Sequence, residues 1–138
     1  MMPPNSAVLD TNVLVAATLS DGPPYRILRL AEQGEVDSVT SPSIIAELED
    51  VLGREHLPFT DEQVEEFTGK VLSVSTVIVP EIDLEVVERD PDDDKIVECA
   101  VAGNVDYLIS GDSHLKDLGE VEGIPVVQPA DFVEMMEN

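Results

Sequence analysis

SAVLDTNVLVAA, residues 6–17, is an apolar run interrupted by a carboxylate, a hydroxyl and an amide. Ala7, Val8 and Leu9 read as a strand that stops on Asp10, and a helical segment follows. The pattern demands a reason for placing Asp10, Thr11 and Asn12 together between two greasy segments.

Outward from that stretch, short β-rich runs alternate with helical patterns, the signature of an α/β domain with a parallel sheet. Pro23-Pro24 opens a helix through Ile27, Leu28, Leu30 and Ala31, with Gly34 as its stop. Residues 36–40 read as a strand. Ser41 is a good N-cap with Pro42 at the first helical position. Ile44, Ile45, Leu48, Val51 and Leu52 then form the buried stripe of a helix ending near Gly53. Thr60 with Gln63 reads as a capping box before Val64, Phe67, Val71 and Leu72. A β-rich run at 75–79 stops at Pro80. The acidic stretch 81–94 leads into a helix with Ile96, Val97, Ala100 and Val101 inward and Gly103 as its cap. Residues 107–110 read as a strand, Gly111-Asp112 as the turn out of it, and Val126-Val127 as a last short strand. Asp131 reads as the cap of a C-terminal helix carrying Phe132, Val133 and Met136. With no internal repeat and no linker, residues 1–138 are expected to form one domain. Its expected fold class is α/β, a three-layer α/β/α sandwich around a central, mostly parallel sheet.

Thirty acidic residues against seven basic ones give a formal charge of −23 and an isoelectric point near 4.1, yet 43% of the residues are apolar. That apolar content argues against a disordered acidic chain and supports a core. Charge of this size repels itself at low salt, and at about 1 M salt it is screened within ~3 Å. The composition therefore points to a halophilic organism, an ordinary acidic protein being the alternative, and stability is expected to fall as salt is withdrawn. No apolar run is long enough for a bilayer span, and residues 1–5 have neither the basic segment nor the apolar core of a signal peptide, so a cytoplasmic protein is expected. The single Cys99 cannot form an internal disulfide and reads as a core residue. With only His56 and His114 besides, the sequence offers no structural zinc site.

Two apolar strands end alike: Ala7-Val8-Leu9 runs into Asp10, and Leu108-Ile109-Ser110-Gly111 runs into Asp112. In a parallel sheet the strand C-terminal ends share one edge, and ligands bind outside it. Asp10 and Asp112 are therefore expected on one rim, although an aspartate after a strand is equally a helix N-cap. Glu47 borders the buried stripe of its helix, where spacing alone reads as a solvated face. Asp92-Asp93-Asp94 opens a helix whose dipole favours negative charge, so a charged first turn and a ligand are equal readings.

Four segments carry a resemblance to a known family: VLDTNVLVAA at 8–17, SPSIIAELEDVL at 41–52, DPDDDKIVECAVAGNVDYLISGD at 90–112 and IPVVQPADFVEMM at 124–136. Through them nearly the whole chain resembles a PIN domain, especially the toxin-type branch related to the nuclease of VapBC toxin–antitoxin pairs. The resemblance implies an acidic site on Asp10, Glu47, Asp94 and Asp112, with Asp93 as the alternative to Asp94. It puts Ser110 where the family often has a threonine, and makes Thr11 and Asn12 polar supports for Asp10. It implies Mg²⁺ or Mn²⁺ as cofactor, RNA as the substrate cleaved, and a homodimer or a complex with an antitoxin protein. Charges about 4 Å apart at an effective dielectric of 20 repel by about 4 kcal/mol per pair, and a hard divalent cation offsets that repulsion. Oxygen-only ligands suit Mg²⁺ or Mn²⁺ and not zinc. On this reading Asp10, Asp94 and Asp112 are ligands, and Glu47 binds a second ion or positions water.

Arg26, Arg29, Arg54, Arg89 and three lysines are the only cations, so RNA binding must lean on metal, on salt and on a few local charges. Arg26 and Arg29 share a helix face that could line a groove, although a solvated face explains it too. A haloacid-dehalogenase-type phosphotransferase would need a second aspartate two residues after Asp10, where this chain has Asn12. A receiver-like switch would need a mid-chain strand ending in an aspartate. An RNA-processing nuclease without antitoxin, and an inactive PIN-type binding module, stand as the alternatives.

Overall fold

The computed structural model describes residues 4–54, 57–80 and 91–137, and the side chains of 91–94 and 114 lie outside that description. Among the described residues, six strands form one sheet: β1 (Asn5–Leu9), β2 (Val36–Thr40), β3 (Ser75–Val77), β4 (Tyr107–Ile109), β5 (Glu120–Val121) and β6 (Ile124–Val127). Their order is β3-β2-β1-β4-β6-β5, parallel throughout except for the β5–β6 hairpin. The helices that flank it are α1 (Thr11–Leu19), α2 (Pro23–Glu32), α3 (Pro42–Leu52), α4 (Asp61–Ser73), α5 (Pro91–Ala102), α6 (Ser113–Leu118) and α7 (Pro129–Glu137). This is the α/β class expected, with a mostly parallel sheet covered by helices.

Strand order decides where a ligand can go. From β1 the chain steps outward to β2 and β3, then returns to place β4 on the other side of β1. The β1–β4 pair is therefore the topological switch point, the place at whose strand C-terminal ends open α/β sheets take their ligands. The Asp10 N–H donates to the Ile109 carbonyl at 2.9 Å and closes that pair at its C-terminal end.

Ala7, Val8, Leu9, Leu108 and Ile109 are all buried, as a central parallel strand pair with both faces covered requires. Ile44, Leu48 and Leu52 of α3 and Ile96, Val97, Cys99 and Ala100 of α5 complete the middle of the core. Each large side chain so buried contributes about 1.5–3 kcal/mol. The caps hold as expected: Ser41 Oγ accepts from the Ile44 N–H at 3.2 Å, and Thr60 with Gln63 forms both halves of the capping box. Gly103 permits a close approach, since a Cβ there would stand 3.0 Å from Val39 Cγ1 on β2. Tyr107 and Phe132 meet edge to face at 5.6 Å and tie α7 to β4.

Several boundaries differ from expectation. β3 stops at Val77, opposite Thr40, where β2, its one strand partner among the described residues, also ends. The last helix starts at Pro129, so Asp131 sits inside the first turn, where its charge meets the dipole. α6 and β5 are too short to show a period in sequence. No helix among the described residues is long and apolar enough to cross a membrane.

Candidate functional site

Asp10 occupies the N-cap position of α1, where the Thr11 and Asn12 N–H groups face its carboxylate without closing a capping hydrogen bond of good geometry. Its Oδ2 instead accepts a 2.7 Å hydrogen bond from Ser110 Oγ, and Ser110 Oγ in turn accepts from the Asp112 N–H at 3.0 Å. A single hydroxyl, 0% exposed, thus ties the two aspartates together by donating to one and accepting from the other. In sequence, an N-cap and a site residue are equal readings of Asp10. In the fold its side chain is turned to Ser110.

Asp10 is only 5% exposed. Burial pushes its carboxyl above the ordinary aspartate range, and the Asp112 charge pushes the same way. The Ser110 hydroxyl and the N–H groups of Asn12 and Thr11 pull it down, but burial wins. Asn12 acts here through its backbone, its side chain being exposed. Thr11 is 1% exposed, and its buried Oγ1 has no hydrogen-bond partner. A buried hydroxyl in that state costs about 1–3 kcal/mol. Thr40 Oγ1, at the C-terminal end of β2, is buried in the same state. Sequence reading passes over Thr40, although it ends β2 beside the end of β1 much as Asp10 follows β1.

Glu47 is half-buried, with Oε2 fully enclosed, so its helix face is not simply solvated. It lines a cleft of about 370 Å³ with Ser43, Ala46, Asp50, Arg54 and Lys95. Asp94 falls in the first turn of α5, next to Lys95. The side chains of Asp92, Asp93, Asp94 and His114 lie outside the description, as do residues His56 and Arg89 entirely. Among the described residues no three His, Cys, Asp or Glu side chains gather at metal-binding distance. The structure therefore joins Asp10, Ser110 and Asp112 directly, with Thr11 following Asp10 in the chain, and places Glu47 in the cleft beside Lys95.

The donor set joined at the β1–β4 edge is oxygen throughout: the Asp10 and Asp112 carboxylates and the Ser110 hydroxyl. It fits a hard divalent cation, which would offset both the burial of Asp10 and its repulsion by Asp112. Away from this edge, Arg26 pairs with Glu137 at 2.7 Å, and Arg29 lines a separate groove of about 880 Å³ with Lys70, Phe59 and Phe67. Cys99 is core as expected, and burial pushes its thiol up to about 11.

A PIN domain family profile matches residues 6–114, a span containing Asp10, Glu47, Asp94 and Asp112. No curated protein matches the sequence significantly. Among solved structures the chain is similar to VapBC2 from Rickettsia felis, bound to a DNA fragment from its promoter, at 19% identity and TM-score 0.65, covering 89% of this chain and 98% of that one. It is similar to PAE2754 from Pyrobaculum aerophilum at 18% identity and TM-score 0.66, covering 96% and 90%. It is also similar to the PIN domain endonuclease Utp24 at 16% identity and TM-score 0.55, covering 92% and 86%. At these identities the structural likeness speaks for the fold. The chain belongs to the PIN domain family.

Proposed function

We propose that this PIN domain, residues 1–138, is a Mg²⁺- or Mn²⁺-dependent endoribonuclease and the toxin of a toxin–antitoxin pair. The observation that carries the reading is the Asp10 carboxylate. It sits at a helix N-cap position with its Oδ2 bonded to Ser110 Oγ, is buried beside a second acid, and lies at the strand edge where an open α/β sheet takes its ligand.

On this reading Asp10 and Asp112 hold the cation together with Asp94 from the first turn of α5, Asp93 being the alternative. Ser110 fixes the Asp10 carboxylate and the Asp112 backbone in one relative position, as outer-shell partners do at metal sites. Thr11 and Asn12 are polar supports that hold Asp10 and the phosphate or water network in place. Glu47 orients water or binds a second ion. When bound, the cation supplies a lowered water pKa and charge neutralisation on the scissile phosphate. Similarity to VapBC2 supports an antitoxin protein as partner, a surface of net charge −23 suits a basic partner, and a homodimer is the assembly that the family resemblance implies.

The test is cleavage. Nuclease-free wild-type protein should cut single-stranded RNA with Mn²⁺ or Mg²⁺ and stop with EDTA, and Asp10→Ala should be folded and inert. An Asp10→Ala protein as active as wild type would refute the reading.

A further inference from the structure

We propose that Lys95 and Arg54 form a backbone-phosphate subsite for single-stranded RNA, flanking the acidic edge on the α3–α5 side. The inference rests on the ribonuclease reading and deepens it. Ser43, Glu47, Asp50 and Arg54 follow one another along a single stripe of α3 and the residue stretch just past its end, and they line the 370 Å³ cleft. Lys95 reaches the same cleft from α5, directly after Asp94. α3 and α5 pack on each other, so one cleft joins an acid assigned to the site with two cations, one from just past the end of α3 and one from α5.

The convergence matters because cations are scarce. The described residues include Arg26, Arg29, Arg54, Lys70, Lys95 and Lys116, in a chain of net charge −23. Arg26 is held by Glu137 at 2.7 Å, and Lys70 lies 3.7 Å from Glu32 on the other groove. A polyanion approaching such a surface is repelled wherever no local positive charge meets it. Arg54 lies 3.6 Å from Asp50 with the two side chains 55% and 76% exposed, a long, solvent-screened pair. Its guanidinium can exchange that carboxylate for a phosphate, which it would grip with two parallel hydrogen bonds. Lys95 adds a compact point charge. Among the described residues no aromatic side chain lines the cleft, and what they offer is charge and hydrogen bonds rather than a platform for base stacking. It would therefore hold the backbone and leave the base unread.

The experiment uses the full chain with Mn²⁺ and a short single-stranded RNA. Lys95→Gln and Arg54→Gln should each raise KM about tenfold, the effect expected for one charged hydrogen bond, with kcat nearly unchanged. Lys95→Arg should restore most of the affinity. Binding is read separately in an Asp112→Asn background, where the dependence of log affinity on log salt should flatten by about 0.7 for each phosphate no longer neutralised. A structural role is separated by RNA carrying one neutral methylphosphonate linkage beside the cut site. The placement of that linkage which weakens wild type about tenfold should leave the Lys95→Gln/Arg54→Gln variant indifferent. If the double variant discriminates against the neutral linkage as wild type does, or if its KM is unchanged, the subsite is refuted. Wild type that cuts no RNA would instead remove the ribonuclease reading, and the subsite with it.

Discussion

β1 and β4 are joined at both ends by a serine and an aspartate one hundred residues apart, and the two ends have opposite characters. At the N-terminal end, Ser6 donates to Asp106 Oδ2 through its N–H at 2.9 Å and its Oγ at 3.4 Å. The Asp106 N–H donates back to Ser6 Oγ at 3.1 Å, and the whole clip faces water. At the C-terminal end, Ser110 donates to Asp10 Oδ2 at 2.7 Å in a buried setting, with Asp112 alongside. The residue types and the strands are the same. What turns one clip into a staple and the other into a candidate metal centre is burial plus a second negative charge. Water solvates the first carboxylate, whereas the second is left short of compensation that a cation can supply.

The largest expected contrast is in cleavage. Asp10→Ala should lower RNA cleavage on the order of 10³-fold, while Asp106→Ala leaves it unchanged. Equal losses in the two variants would mean that the ends do not differ in function.

Next come the serines. Ser110→Ala removes the donor to a buried carboxylate and should cost about 1–3 kcal/mol in denaturant unfolding. It should also weaken Mn²⁺ binding by about 10–100-fold. Ser6→Ala, at the exposed clip, should stay within about 0.5 kcal/mol. A Ser110→Ala protein as mild as Ser6→Ala would place no value on the buried arrangement.

The pH dependence sharpens the same contrast with a smaller effect. Because burial raises the Asp10 pKa, the folded state keeps that proton to higher pH than the unfolded chain does. The group's stabilising contribution is present below the ordinary aspartate pKa and is lost as pH rises through the raised folded value. In EDTA at neutral pH, Asp10→Asn should therefore melt above wild type. The gap should close as pH falls through the raised pKa. A gap that is absent at neutral pH, or that widens on acidification, would contradict the burial account.

Much of this was legible in sequence because it is written in local chemistry. Ser41-Pro42, the Thr60–Gln63 box and the fully apolar β1 and β4 fix their elements with little help from distant parts of the chain. Asp10 and Asp112 could be placed on one edge because parallel strands share their C-terminal ends. That Ser110 would bind Asp10 across one hundred residues could not be read, since hydrogen-bond partners at that separation are set by the β1–β4 register. Sequence spacing put Glu47 on a solvated face, because the period of α3 marks its core stripe and says nothing of the cleft that α5 closes over its flank. The short α6 and β5 carry no period, and the reach of β3 is set by where β2 ends.

On the proposed reading the buried end of the β1–β4 pair holds a divalent cation and the exposed end does not. The direct measurement is a Mn²⁺ titration of RNA-free protein by calorimetry and thermal unfolding. Wild type and Asp106→Asn should each gain about 2.7 kcal/mol at one hundred times the dissociation constant. Asp10→Asn/Asp112→Asn should lose most of that gain and the binding heat with it. A double variant that binds Mn²⁺ and is stabilised by it like wild type would contradict the account.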